Sequence, residues 1–249
     1  MKIFSFYLKE SKKSLQKNKK FFFIKEVIGT KKTTLLLVKI LEKITAHKDL
    51  HAKFLNTLSY LEYIGARKML KSLPAPILNK TFLDHINEEV RHSLVLKNLA
   101  EKLTKTSYGF KKEELIAGAQ GSQYFQEVDH YGLKFSSANP VLNYLYTTYA
   151  IEQRAIVLYS LYNDTLKKKG FSFSMKSILN DEEEHLDYTL KQIQKEDSSW
   201  ETNLEEISQF EHQKYFSFLI SLEEEVSKFI LAPHIHSLKA KHYTSSHKV

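Results

Sequence analysis

Chain-breaking residues are scarce in this sequence, with 7 Gly and 4 Pro among 249 residues, which disfavours a sheet protein and its many tight turns. The pattern predicts long helices with few connections, an all-α protein. Its length and 42% apolar content suit a single domain over residues 1–249. Cysteine is absent, which removes disulfides, thiolate nucleophiles and Cys-based zinc or iron–sulfur sites. Any metal has to sit on His, Asp and Glu.

Helical spacing of apolar residues marks four core helices between about 50 and 196. The first runs from His51 to about Leu73 on Phe54, Leu55, Leu58, Gly65, Ala66 and Met69, and is closed by LPAP. The second, Lys80 to Thr104, places Leu83, Ile86, Val90, Leu96 and Leu99 inward. A lesser crossover helix lies between 105 and 136. SANP, with Pro140 in the first turn, starts the third core helix, which continues to about Lys168. After a break at Gly170 the fourth carries Met175, Ile178, Leu179, Leu186, Leu190 and Ile193. Residues 1–46 read as a basic helical arm that packs through Phe22, Ile24, Leu36, Val38 and Leu41. A C-terminal helix over 201–232 should stop at Pro233, leaving 234–249 as a mobile tail.

Four acids stand out against these stripes. Glu62 is the one carboxylate between His51 and Leu73, and Glu152 the one acid between Ser136 and Asn163, each on an apolar face. A buried ionised carboxylate is costly without a compensating cation. The other two core helices each hold a Glu and a His three residues apart, Glu89 and His92 in EEVRH and Glu182 and His185 in EEEHL. At that spacing both side chains share a helix face, so each pair can grip one ion. The midpoint between Glu62 and Glu89 falls between Pro74 and Pro76, so a hairpin turning there brings them level. The midpoint between Glu152 and Glu182 is Lys167, about three residues (~4.5 Å) short of Gly170. Four carboxylates against two divalent cations also balance in formal charge. A third pair, Glu127 and His130, lies on a polar face with Gln120 and Gln123 and reads as exposed. The competing reading of the six is that Glu residues pair with Arg or Lys and His residues are satisfied in the core.

Two single Glu and two Glu-x-x-His pairs, alternating along the chain, resemble the ferritin-like di-iron and di-manganese carboxylate proteins. The resemblance covers roughly residues 50–104 and 137–196. It implies a ferritin-like four-helix bundle with additional N-terminal, crossover and C-terminal helices, holding two metal ions on Glu62, Glu89, His92, Glu152, Glu182 and His185. Fe/Fe is the leading pair, with Mn/Fe and Mn/Mn open. In the oxygenase and ribonucleotide-reductase-like branches, an acid just before one motif's Glu holds the ligand His of the other half. By position Asp181 would hold His92 and Glu88 would hold His185. The extra ligand His that arylamine oxygenases carry four residues before the second motif's Glu is replaced here by Ile178. His85 stands four residues before Glu89 and could touch the metal or a substrate, with an outer partner or surface residue the stronger reading. Tyr149 and Tyr188, a turn from the ligands, are candidates for redox or proton donation, with core packing the stronger reading.

The long stretch from His92 to Glu152 is similar to that of oxygen-activating enzymes such as aldehyde-deformylating oxygenases. The expectation is therefore an oxidase or oxygenase using O₂ and a hydrophobic substrate such as a fatty acyl or aldehyde compound, with an electron-donor protein as a further partner. Two rivals stay open: a ferroxidase or peroxide-detoxifying protein, and a metal-free helical binding module. A tRNA-modifying hydroxylase bridges the classes. The net charge of +8 suggests an anionic carrier protein or RNA. Spread lysines weaken that inference, and the clustered SKKSLQKNKK and GTKK runs of the arm suit a solvated face. No stretch reaches the ~18 apolar residues of a membrane span, and MKIFSFYLKESKK does not read as a signal peptide, so a cytoplasmic location is expected. A homodimer stays open.

Overall fold

The computed structural model describes residues 31–72, 78–135 and 139–245, and the regular structure among them is helical throughout. The expectations for Phe22, Ile24 and the first basic run of the arm lie outside the described residues. The helices are α1 (Lys31–Ile44), α2 (Lys48–Ser72), α3 (Lys80–Thr104), α4 (Gly118–Gly132), α5 (Pro140–Lys168), α6 (Lys176–Glu196) and α7 (Trp200–Ser245). Short 3₁₀ turns at Lys112–Glu114 and Leu133–Phe135 flank α4. No described helix is long and apolar enough to cross a membrane.

Helix ends follow local chemistry. The Asn79 side chain accepts from the Phe82 N–H at 3.2 Å and starts α3. Asn139 accepts from the Val141 N–H at 2.9 Å and starts α5, with Pro140 in its first turn. Gly170, at φ 75°, takes the left-handed conformation that ends α5 and turns the chain toward α6.

Helices α2 and α3 pack along their lengths as one hairpin and α5 and α6 as another, and α3 meets α6 between them. The inward stripe of α3 is Phe82, His85, Ile86, Glu89, His92, Leu96 and Ala100. Leu83 and Val90, expected inward, are about half exposed at 51% and 50%. The correction has a simple cause. They lie one residue off the stripe, and the stripe's middle is taken by His85, Glu89 and His92, so apolar periodicity alone points at the wrong face.

Helix α5 is enclosed on most sides, with Tyr146, Tyr159, Tyr162 and Leu166 among its fully buried side chains. Besides α6, it is covered by α1, α4 and α7. Gly132 makes the α4–α5 approach possible, since a Cβ there would stand 2.5 Å from Thr147 Oγ1. One ion pair ties three of these helices together. Arg154 on α5 donates from Nε and Nη2 to Glu211 on α7 at 2.9 and 2.8 Å, and Tyr124 on α4 donates to Glu211 at 2.6 Å.

Two expectations at the chain's ends are corrected. The segment from Lys31 is not an arm: α1 buries Thr33, Leu37, Ile40, Leu41 and Ile44 in the common core, because this stripe recurs every three to four residues. Helix α7 does not stop at Pro233 but continues to Ser245. A proline removes its own N–H bond from a helix, while the turns on either side keep theirs.

Leu41→Ala should cost about 2–5 kcal/mol in urea unfolding, as for any fully buried leucine. A loss below about 1 kcal/mol would show α1 to be dispensable.

Candidate metal centre

The inward stripe of α3 carries His85, Glu89 and His92 along one line at helical spacing. Glu62 comes from α2, Glu152 from α5, and Glu182 and His185 from α6. They assemble two groups whose ligand atoms all lie within 4.8 Å of one another, His85–Glu89–Glu152–His185 and Glu62–Glu89–His92–Glu182. Glu89 belongs to both and stands between them.

All six residues singled out as ligands are thus brought together, in an arrangement that differs from the expected one. Glu89 and His92 share a group, but Glu182 and His185 are divided between the two. Residues three apart on a helix differ in rise by about 4.5 Å, enough for one side chain to reach each position. His85, read more strongly as an outer partner or surface residue than as a metal contact, is 4% exposed and completes one group. Its signal was the four-residue spacing before Glu89.

The outer contacts fix how the imidazoles point. His92 Nε2 is 3.0 Å from Asp181 Oδ2, which also accepts from Arg91 at 2.6 Å. His185 Nε2 is 2.6 Å from Glu88 Oε2. With Nε2–H donated to a carboxylate, each ring turns an Nδ1 lone pair toward the cluster. Those Nδ1 atoms, His85 Nε2 and both oxygens of Glu152 are buried without a hydrogen-bond partner in the protein. Buried polar atoms are nearly always paired. So many orphans converging on one spot leave a cluster that could hold cations.

Electrostatics agree. Burial, then the charges of Glu89 and Glu182, hold the Glu62 carboxyl well above its ordinary range. Burial, then Glu89 and Glu152, do the same to Glu182. Burial also raises Glu152, with His85 pulling the other way. Burial acts to raise Glu89 too, but the His85 and His92 imidazoles outweigh it and hold that carboxyl low. For His85, burial lowers the pKa, and Glu152 and Glu89 overcome it and raise the ring to about 10. The cluster without cations therefore retains protons that cations would displace.

A cavity of about 120 Å³ opens against this cluster. Its wall includes Glu62, Glu89, Glu152 and Glu182, while Phe54, Leu58, Ile151, Leu158 and Phe218 are among the side chains that make the rest largely apolar. Gly65 lines it as well, and a Cβ there would sit 3.3 Å from Glu89 Oε2, so the glycine lets that carboxylate lie close against α2. Tyr144 and Tyr159 face the cavity and touch the cluster: Tyr144 Oη is 2.9 Å from His85 Nδ1, and Tyr159 donates to Glu62. Neither was singled out for a role. They stand eight residues before and seven after Glu152, two turns away along its face. Tyr149 is buried away from the cavity lining, its phenol pushed up to about 12 by burial. Tyr188 is half-buried against Phe82. Glu127 accepts from Gln123 at 2.9 Å and pairs with Lys214 at 3.0 Å, His130 is exposed, and neither joins a ligand group.

No family model, curated protein or solved structure matches the chain.

Two outcomes test this geometry. Glu62, Glu182 and His85 each favour their protonated form when folded, so the stability they contribute is present at low pH and lost as pH rises. Glu89 and Asp181, held low, contribute stability that is fully present above the ordinary carboxylate range and lost only as pH falls below it, so they do not oppose this trend near neutrality. Below about 6.5, His51, lowered by burial to about 4, and His212, also lowered by burial, work the other way. Metal-free protein should therefore melt lower as pH rises from about 7 to about 9, and a rising Tm over that range would contradict the assigned directions. Asp181→Ala, by freeing the His92 ring, should weaken metal binding about 10–100-fold in a competition assay with a chelating dye. Unchanged affinity would mean Asp181 does not orient it.

Proposed function

We propose that the chain is a ferritin-like di-metal carboxylate enzyme, an O₂-activating oxidase or oxygenase acting on a hydrophobic organic substrate. The observation that carries the proposal is the convergence of orphaned imidazole nitrogens and buried carboxylates at the wall of an apolar cavity. Glu62, Glu89, His92, Glu152, Glu182 and His185 would hold the metals. Iron at both positions suits the oxygen and imidazole donors, and manganese at one or both is compatible with them. The chemistry such a pair supplies is the reduction of O₂, with electrons from an external donor.

The chain's own residues define the rest. The carboxylates face the cavity, so a substrate entering it meets the oxygen-donor side of the centre. Phe54, Leu58, Ile151, Leu158 and Phe218 exclude water from that space and accept an alkyl chain, which favours a fatty acyl or aldehyde compound over hydrated Fe(II) as the substrate. Tyr159, donating to Glu62, holds a proton at that carboxylate on the cavity side. Asp181 and Glu88 keep the His92 and His185 rings in the tautomer that leaves Nδ1 free.

Protein produced with iron should carry close to two metal ions per chain, and Glu62→Ala and Glu152→Ala should each lower that content. Uptake below about one equivalent, unchanged by both substitutions, would sink the di-metal reading. Reduced, loaded protein should consume O₂ faster when long-chain aldehydes or acyl compounds are added. Equal rates with and without them, together with mineral uptake on iron loading, would point to iron handling instead.

A further inference from the structure

His85 stands apart from the other imidazoles of the cluster. It precedes Glu89 by one turn on α3 and lies between Tyr144 and Glu152, both on α5. Its Nδ1 is 2.9 Å from Tyr144 Oη, and its Nε2 is 2.9 Å from Glu152 Oε1 and 3.5 Å from Glu89 Oε1 without forming a hydrogen bond to either. Its ring centroid is 3.8 Å from that of His185. With Nδ1–H donated to the tyrosine oxygen, the Nε2 lone pair faces the same space as His185 Nδ1. The presentation parallels the one Asp181 and Glu88 impose on His92 and His185, with the opposite ring nitrogen turned inward and a neutral phenol as anchor.

We propose that His85 is a seventh metal ligand, which makes the two metal positions chemically unequal. The inference rests on the di-metal reading above and goes beyond it. One position has two imidazoles and two carboxylates, from His85, His185, Glu89 and Glu152. The other has one imidazole and three carboxylates, from His92, Glu62, Glu89 and Glu182. Imidazole-rich sites favour the later divalent metals over Mn(II), and oxygen-rich sites accept Mn(II) more readily. The first position therefore selects Fe(II) over Mn(II) more strongly than the second, and the two ions bind with separable affinities. A purely electrostatic role, with an imidazolium paired to Glu152, predicts neither property.

The test is anaerobic titration of the full-length chain with Co(II), followed by its visible absorption. Wild-type protein should bind two equivalents in resolvable steps. His85→Gln should weaken one step by more than about tenfold and leave the other alone, while His92→Ala should weaken the other step. Imidazole added to His85→Gly should restore the lost step, which a structural role would not do. Under mixed Fe(II) and Mn(II), His85→Gln should bind relatively more Mn(II) than wild type. Two unchanged steps in folded His85→Gln overturn the seventh ligand and leave the di-metal reading standing. Wild-type uptake below about one equivalent overturns both. Pulsed EPR on wild-type protein loaded with one equivalent of Cu(II) needs no variant: two imidazoles at the tighter position support the assignment and one overturns it.

Discussion

Burial of ionisable side chains at the meeting of the two helical hairpins is the constraint on which the rest of the structure depends. Six of the seven cluster residues are less than a tenth exposed, and the seventh, Glu62, faces the cavity. An uncompensated buried ion costs several kcal/mol, whereas a whole domain is stable by only about 5–15 kcal/mol. Four such carboxylates could not all remain ionised without counter-charge. The chain meets this by raising Glu62 and Glu182 and by holding a proton on His85. Protons and cations are alternative occupants of one electrostatic problem, and cations would also engage the three imidazole nitrogens left without hydrogen-bond partners.

The opposite solution is found two residues along the same helix. Arg154 is as buried as Glu152, yet its guanidinium is met in bidentate fashion by Glu211, which Tyr124 also supports. That network ties α4, α5 and α7 together and meets its own demand for charge and hydrogen bonds. Glu152, with neither oxygen hydrogen-bonded, does not. The contrast separates a buried polar group that holds a fold together from one that the fold holds for something else. Burial alone would have classed them together.

Much of this was legible in the sequence, for reasons that also explain the gaps. Scarce glycine and proline forecast long helices, and the α3 and α5 ends at Thr104 and Lys168 fall where the pattern placed them. The solitary acids were conspicuous because no other acid stands on their stripes. On α3 the logic reversed: His85, Glu89 and His92 occupy the core stripe, so Leu83 and Val90 took the inward assignment while His85 was left outside it. Tyr144 and Tyr159 were obscured by abundance, since 14 tyrosines offer many neighbours one turn from a ligand, and the pair that matters lies two turns away. At Pro233 a local rule was applied as a stop where the helix carries on. Which of Glu182 and His185 serves which position depends on side-chain reach across helices, and spacing within one helix does not encode it.

The cluster is also polarised across the bundle. Its four carboxylates reach the cavity wall, while the imidazoles of His92 and His185 are anchored to Asp181 and Glu88, whose side chains are 23% and 35% exposed. The outward side is thus tied to partly solvated acids that can hold ring orientation at modest desolvation cost. The inward side is oxygen-rich and adjoins an apolar space. Carboxylates can change between one- and two-oxygen coordination, whereas an anchored imidazole has one lone pair in one direction. The adaptable donors therefore face the space where a guest would bind, and the rigid ones face away from it. The covering helices give this polarity its meaning. Without Phe218 of α7 and Tyr124 and Phe125 of α4 along the cavity wall, the carboxylate side would open to water, and the distinction between the two faces would be lost.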